Sequence, residues 1–148
     1  MNNSVTSIVG DTEGALWFST HGGVSRFDER LVNFTSRDGI GHAIMSLYRD
    51  AEGVMWIGTQ GGVSRFDGRA FAHFTTRDGL VDNKVYDIGS TPAGILCATS
   101  KGGCRYDGTR FVADGEMMGN YVFCYLNSFT RGEETCTSSI MRCVVFRA

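Results

Sequence analysis

Proline is almost missing from the chain: among 148 residues, Pro92 is the one example. With 20 glycines and no triplet period, this fits many tight hairpins and argues against a collagen-like or proline-rich disordered chain. Positive charge is not in surplus either. Fourteen Lys and Arg stand against 16 Asp and Glu, giving a formal net charge of -2, so there is no basic footprint for nucleic acid or an anionic membrane. No apolar run approaches the roughly 18–20 residues needed to span a bilayer. The opening Met1-Asn-Asn-Ser-Val5 lacks the charged and apolar regions of a signal peptide. The chain as written is expected to be soluble and without an export signal, and its compartment stays unknown.

Metal and nucleophile signatures are missing too. The five cysteines, Cys97, Cys104, Cys124, Cys136 and Cys143, form no CxxC, and no histidine pair has zinc-ligand spacing. They are expected to be small buried hydrophobes or free thiols, with a disulfide among the last three only in an oxidising compartment. His21, His42 and His73 share no repeat position, and no G-x-S-x-G is present. The reading is a non-enzyme with no cofactor and no metal.

What the chain does have is one block, repeated. Gly53-Val-Met-Trp-Ile-Gly-Thr-Gln-Gly-Gly-Val-Ser-Arg-Phe-Asp-Gly68 nearly duplicates Gly14-Ala-Leu-Trp-Phe-Ser-Thr-His-Gly-Gly-Val-Ser-Arg-Phe-Asp28. A weaker echo runs from Gly94 to Gly108. Trp17 and Trp56 lie 39 residues apart, and Gly53 and Gly94 lie 41 apart. Each block reads as four short strands separated by turn residues. The first has strands at 5–9, 15–20, 24–27 and 31–35, and the second at 44–48, 54–59, 63–66 and 71–75. The third has them at 85–88, 95–99, 104–106 and 111–113.

The second block carries one extra residue near Asp67-Gly68, which costs little in a turn. In the third, one residue is read as missing around the Gly-Gly turn, with Cys97 in the tryptophan position.

A period near 40 residues with four strands and a tryptophan per unit is the mark of a β-propeller blade. A β-sandwich has similar strand spacing but gives no reason for near-identical blocks. The fold class is therefore all-β: about three four-stranded antiparallel meanders of 39–41 residues, forming an incomplete ring. The blades are placed at 1–36, 37–77 and 78–115. Residues 116–148 are a diverged partial fourth blade or an unrelated tail, with 120–126 and 139–146 able to pair as a hairpin.

These blocks resemble the two-component regulator propeller repeat, whose consensus runs close to V-x-x-I-x-x-D-x-x-G-x-L-W-I-G-T-x-G-G-V-x-R-F-D-G, then F-x-x-F-T-x-x-D-G-L. Residues 1–115 carry the resemblance; the first two repeats match closely and the third partly. The resemblance implies a seven-bladed sensor propeller, often periplasmic, joined to a membrane-bound histidine kinase or diguanylate cyclase. It also implies signal sensing, frequently of carbohydrates. Here the chain begins inside a repeat, and three and a fraction blades fall short of the minimum of about four that close a ring. The chain is therefore expected to be a fragment of a larger propeller, with self-association that completes the ring as the alternative.

Trp17, Trp56, Arg26, Arg65, Asp28 and Asp67 are read as structural: tryptophans packing on the neighbouring blade, aspartates capping turns, arginines packing or pairing on the sheet. The functional candidates are the links between blades, which lie at the rim of a propeller's channel. They supply Arg37, Asp38 and His42, then Arg77, Asp78, Asp82, Asn83 and Lys84, and later Asp114 and Asn120. Charged and amide groups of this kind suit recognition of hydroxyls or carboxylates, as in a small carbohydrate-like ligand. Solvated turn residues are the competing reading, since Asp38 and Asp78 each precede glycine.

Overall fold

The computed structural model describes residues 4–92 and 94–115, together with the backbone of 122–123 and 144–145. Twelve strands form three four-stranded antiparallel sheets, each a meander in chain order. The first sheet holds β1 (Val5–Gly10), β2 (Leu16–Thr20), β3 (Gly23–Phe27) and β4 (Leu31–Phe34). The second holds β5 (Ile44–Arg49), β6 (Met55–Thr59), β7 (Gly62–Phe66) and β8 (Phe71–Phe74). The third holds β9 (Val85–Thr91), β10 (Gly94–Thr99), β11 (Gly102–Tyr106) and β12 (Phe111–Ala113). The innermost strands β1, β5 and β9 lie side by side, so the sheets fan out from one line, and the described residues form an open arc. The all-β reading and the incomplete ring hold. A last pair, β13 (Val122–Phe123) with β14 (Val144–Val145), runs antiparallel, inside the segments expected to pair as a hairpin.

Alternation along each strand gives every sheet a forward face toward the next sheet and a rear face toward the previous one. Val9, Trp17, Val24 and Phe34 on the forward face of the first sheet pack on Leu47, Met55, Ile57, Phe66 and Phe71 on the rear face of the second. Trp17 stacks on Phe34 at 5.6 Å and meets Phe66 at 5.4 Å. The second junction repeats this: Trp56, Val63 and Phe74 face Ile88, Cys97, Cys104, Tyr106 and Phe111, with Trp56 at 5.0 Å from Tyr106. The tryptophans hold blade to blade, as the sequence implied. Both are 2% exposed, and truncating such a residue to alanine costs about 3–5 kcal/mol.

The third block departs from the expected alignment. Leu96 pairs with Arg105 as Trp17 pairs with Arg26 and Trp56 with Arg65. Leu96, not Cys97, therefore fills the tryptophan position. The physical reason is backbone conformation: the turn needs a positive φ at its last residue, held by Gly23, Gly62 and Gly102. Gly102 thus matches the second glycine of the earlier pairs, and Gly103 takes the place of Val63. The turn keeps its length, and the missing residue lies instead between Gly94 and Leu96, in the tight β9–β10 hairpin. Cys97 and Cys104 face each other on the rear face as buried free thiols. Cys124, Cys136 and Cys143 lie outside the described residues.

The extra residue in the second block sits where it was expected. Phe66 pairs with Phe71 across a four-residue turn, whereas Phe27 pairs with Leu31 across three. The shorter turn drives Glu29 to φ 80°.

Candidate functional site

In a four-stranded meander the link into the inner strand and the turn between the second and third strands lie at the same end of the sheet. That end collects both link segments and the Gly-Gly turns. Each link opens with a 3₁₀ turn, Ser36–Asp38 or Thr76–Asp78, closed by a left-handed glycine, Gly39 or Gly79. Thr35 and Thr75 cap these turns. Asp38 and Asp78 reach back to accept the Thr35 and Thr75 amides at 2.8 Å, a reciprocal capping box. Ile40 and Leu80, both buried, then anchor the links in the core.

Beyond these anchors the links clamp onto the turns of the blades they enter. The Gln60 amide donates to the His42 and Ala43 carbonyls at 3.3 and 3.2 Å. The Gly41 amide donates to Ser64 Oγ at 3.1 Å, and Ser64 pairs with His73 Nδ1 at 2.9 Å. In the second link the Ser100 amide donates to the Lys84 carbonyl at 3.1 Å, and the Ser100 hydroxyl donates to Asp82. That bond, the Asn83 amide and the charge of Lys101 hold the Asp82 carboxyl below its ordinary range against the opposing effect of burial.

The anticipated residues fall into two groups. Asp38, Asp78, Asp82 and Asn83 are engaged in local bonds; Asn83 Oδ1 accepts the Thr76 amide at 2.8 Å. Arg37 and Arg77 are exposed on their 3₁₀ turns. His42 is exposed beside Gly61, and the Lys84 ammonium lies over the Tyr86 ring at 5.2 Å. Asn120 lies outside the described residues. Asp38 bonds within the first link, while Asp78 and Asn83 bond within the second and Asp82 bonds into the turn of the third sheet. Sequence reasoning passed over Gln60, Ser64, Ser100 and Lys101, although the meander alone places those turns beside the links.

Two hollows accompany this end and the opposite one. A hollow of about 290 Å³ lies over the first sheet among Thr20, Gly23, Ser25 and Asn33. In the second sheet His73 stands at the position of Asn33 and reaches the Gly61 carbonyl at 3.2 Å. A groove of about 680 Å³ opens at the other end, between the second and third sheets, with Glu52, Trp56, Arg65, Tyr106 and Asp107 on its walls. Arg65 lies over the Trp56 ring at 5.7 Å, whereas its counterpart Arg26 pairs with Asp11, Glu13 and Asp28. Among the described residues, no cluster of three or more His, Cys, Asp or Glu is arranged to hold a metal. The link end instead presents exposed cationic donors suited to carboxylate or hydroxyl acceptors.

Comparison with known proteins agrees with this architecture. Residues 1–22 and 38–61 match the model of the two component regulator propeller family. No curated protein matches the chain. Among solved structures, the extracellular domain of a hybrid two component system from B. thetaiotaomicron superposes with a TM-score of 0.70. It is 26% identical over 83% of this chain. The extracellular domain of a one component system from the same organism superposes with a TM-score of 0.60 at 23% identity, over 76% of the chain. The chain spans about a fifth of the length of each, 19% and 18%.

Proposed function

We propose that the chain is a ligand-binding part of a larger sensor propeller in two-component signalling, non-enzymatic in itself, working with a histidine kinase or diguanylate cyclase module. In this reading residues 1–36, 37–77 and 78–115 act as blades, and 116–148 as a diverged fourth blade or a separate tail. The observation that carries it is the likeness, over most of this chain, to the extracellular domain of a two component system. The link end supports a ligand role. Arg37, Arg77, His42 and Lys84 are exposed there, while their acidic neighbours Asp38, Asp78 and Asp82 are held by local bonds. Such a surface favours a small ligand rich in hydroxyl or carboxylate oxygen, a carbohydrate or sugar acid, because guanidinium and ammonium groups donate and do not accept.

Calorimetric titration of the whole chain with neutral and uronic-acid oligosaccharides tests this. Binding that weakens at least about tenfold in an Arg77→Ala, Lys84→Ala double variant of unchanged melting temperature is expected. No binding of either sugar class, or equal binding by the variant, removes the ligand role.

A further inference from the structure

The rear face of the first sheet is built like the rear face of the second, yet nothing in the described structure covers it. In the second sheet Leu47, Met55, Ile57, Phe66 and Phe71 carry the tryptophan face of the sheet before it. By register the same positions in the first sheet are Ile8, Leu16, Phe18, Phe27 and Leu31. All five are apolar, and Ile8, Leu16, Phe27 and Leu31 stand 59, 43, 46 and 55% exposed. A contiguous apolar face of this kind marks an interface.

The interior junction shows what fits it. Opposite that rear face sit a tryptophan, a valine and a phenylalanine: Trp17, Val24 and Phe34. The second sheet offers the same set forward as Trp56, Val63 and Phe74. The third does not. Leu96 stands for the tryptophan and Gly103 for the valine. Asp114, whose amide bonds the Gly103 carbonyl, stands for the phenylalanine and pairs with Arg105 at 2.7 Å. Docking that face against Phe27 and Leu31 would desolvate an ion pair and leave the aromatic seats empty, which is unfavourable on both counts. β13 also already lies beside β10 of that sheet.

We infer that the rear face of the first sheet is a docking surface for a β-blade presenting a tryptophan, a valine and a phenylalanine, and that a second copy of this chain does not supply it. The inference deepens the reading of the chain as part of a larger propeller. It decides against the scaffold that several copies would complete.

The test fuses a further copy of residues 37–77, or of residues 78–115, ahead of the full chain. The 37–77 fusion is expected to melt about 5 °C higher and to bring hydroxyl-radical labelling of Phe27 down to the level of Phe66. Trp56→Ala in the added copy should erase both effects, and the 78–115 fusion should show neither. Equal protection by both fusions, or by neither when the added blade is itself folded, overturns the proposal. The unmodified chain decides independently of any fusion. Phe27 should stay labelled at every concentration in sedimentation samples, and a discrete oligomer that Phe27→Ser disperses overturns the proposal. These readouts are separate from sugar titration, so failure of the ligand role leaves the docking result standing, and the reverse.

Discussion

The indole Nε1 of Trp56 donates to Asp50 Oδ2 at 2.8 Å, six residues back across the β5–β6 turn. Trp17 makes the same bond to Asp11 at 3.0 Å. The other oxygen of each aspartate accepts two backbone amides, Glu52 and Val54 in one sheet and Glu13 and Ala15 in the other. One carboxylate therefore shapes the turn and orients the ring that joins two blades. Where the third block has Thr91 at that position, the tryptophan is gone too. Asp50→Ala should destabilise by about 2–4 kcal/mol, from three lost hydrogen bonds to a charged acceptor. Asp50→Asn should cost less, because its carbonyl still serves the amides. Urea unfolding followed by tryptophan fluorescence measures both; an Asn variant as damaged as the Ala variant would assign the effect to the indole bond alone.

The Gly-Gly turns separate a required glycine from an incidental one. Gly62 has φ 135°, and a Cβ there would strike the Phe74 carbonyl oxygen. Gly62→Ala is expected to cost about 2–4 kcal/mol through strain and collision together. At Gly22 the nearest atom to a Cβ is 3.9 Å away and φ is ordinary, so Gly22→Ala should stay within about 0.5 kcal/mol of wild type. Thermal melts of the two variants suffice.

The capping boxes bear on which link residues are free for a ligand. Thr75→Val removes the cap of the second 3₁₀ turn and should cost about 1 kcal/mol. Asp78→Asn should cost a similar amount, since the Thr75 amide loses a charged acceptor at 2.8 Å. Arg77→Ala, between them and exposed, should leave the melting temperature unchanged. A stability loss at Arg77 comparable to that at Thr75 would make the arginine a structural residue.

All twelve strands were legible because the block repeats and each strand has only to satisfy a period of two. What was misread came from matching letters in place of conformations. The two glycines at 102–103 look like those at 61–62, but the positive φ falls on Gly102, shifting the third block by one residue. The signal was available in spacing: Leu96 precedes Thr99 by three residues, as Trp17 precedes Thr20 and Trp56 precedes Thr59. At the site, residue type was legible and bonding was not. Asp38, Asp78 and Asp82 stand among the link candidates, with turn residues as the competing reading, and each bonds a partner: Thr35, Thr75 and Ser100. The T-x-x-D spacing announces the first two bonds. The third joins residues 18 apart in sequence and needs the meander to become visible.

Asp11 makes the fold sensitive to acid. Burial alone would raise its carboxyl, but the Trp17 indole, the Arg26 guanidinium and the Ala15 and Glu13 amides outweigh that and hold it below its ordinary 3.8. A group whose folded pKa is depressed stabilises fully above its unfolded value and loses that contribution as pH falls through the folded one. The wild type should therefore exceed Asp11→Asn in stability by about 1–2 kcal/mol at neutral pH, with the gap narrowing once pH drops below about 4. Asp82 is depressed as well, chiefly by the Ser100 hydroxyl, and Asp107 lies at about 2 through the Arg110 and Thr109 amides. Wild-type stability should then continue to fall between pH 4 and 2, a range bounded by these carboxyls. Urea midpoints of both proteins at a series of pH values test the sign. A gap that stays constant or widens in acid would mean that Asp11 is not the proton-linked group.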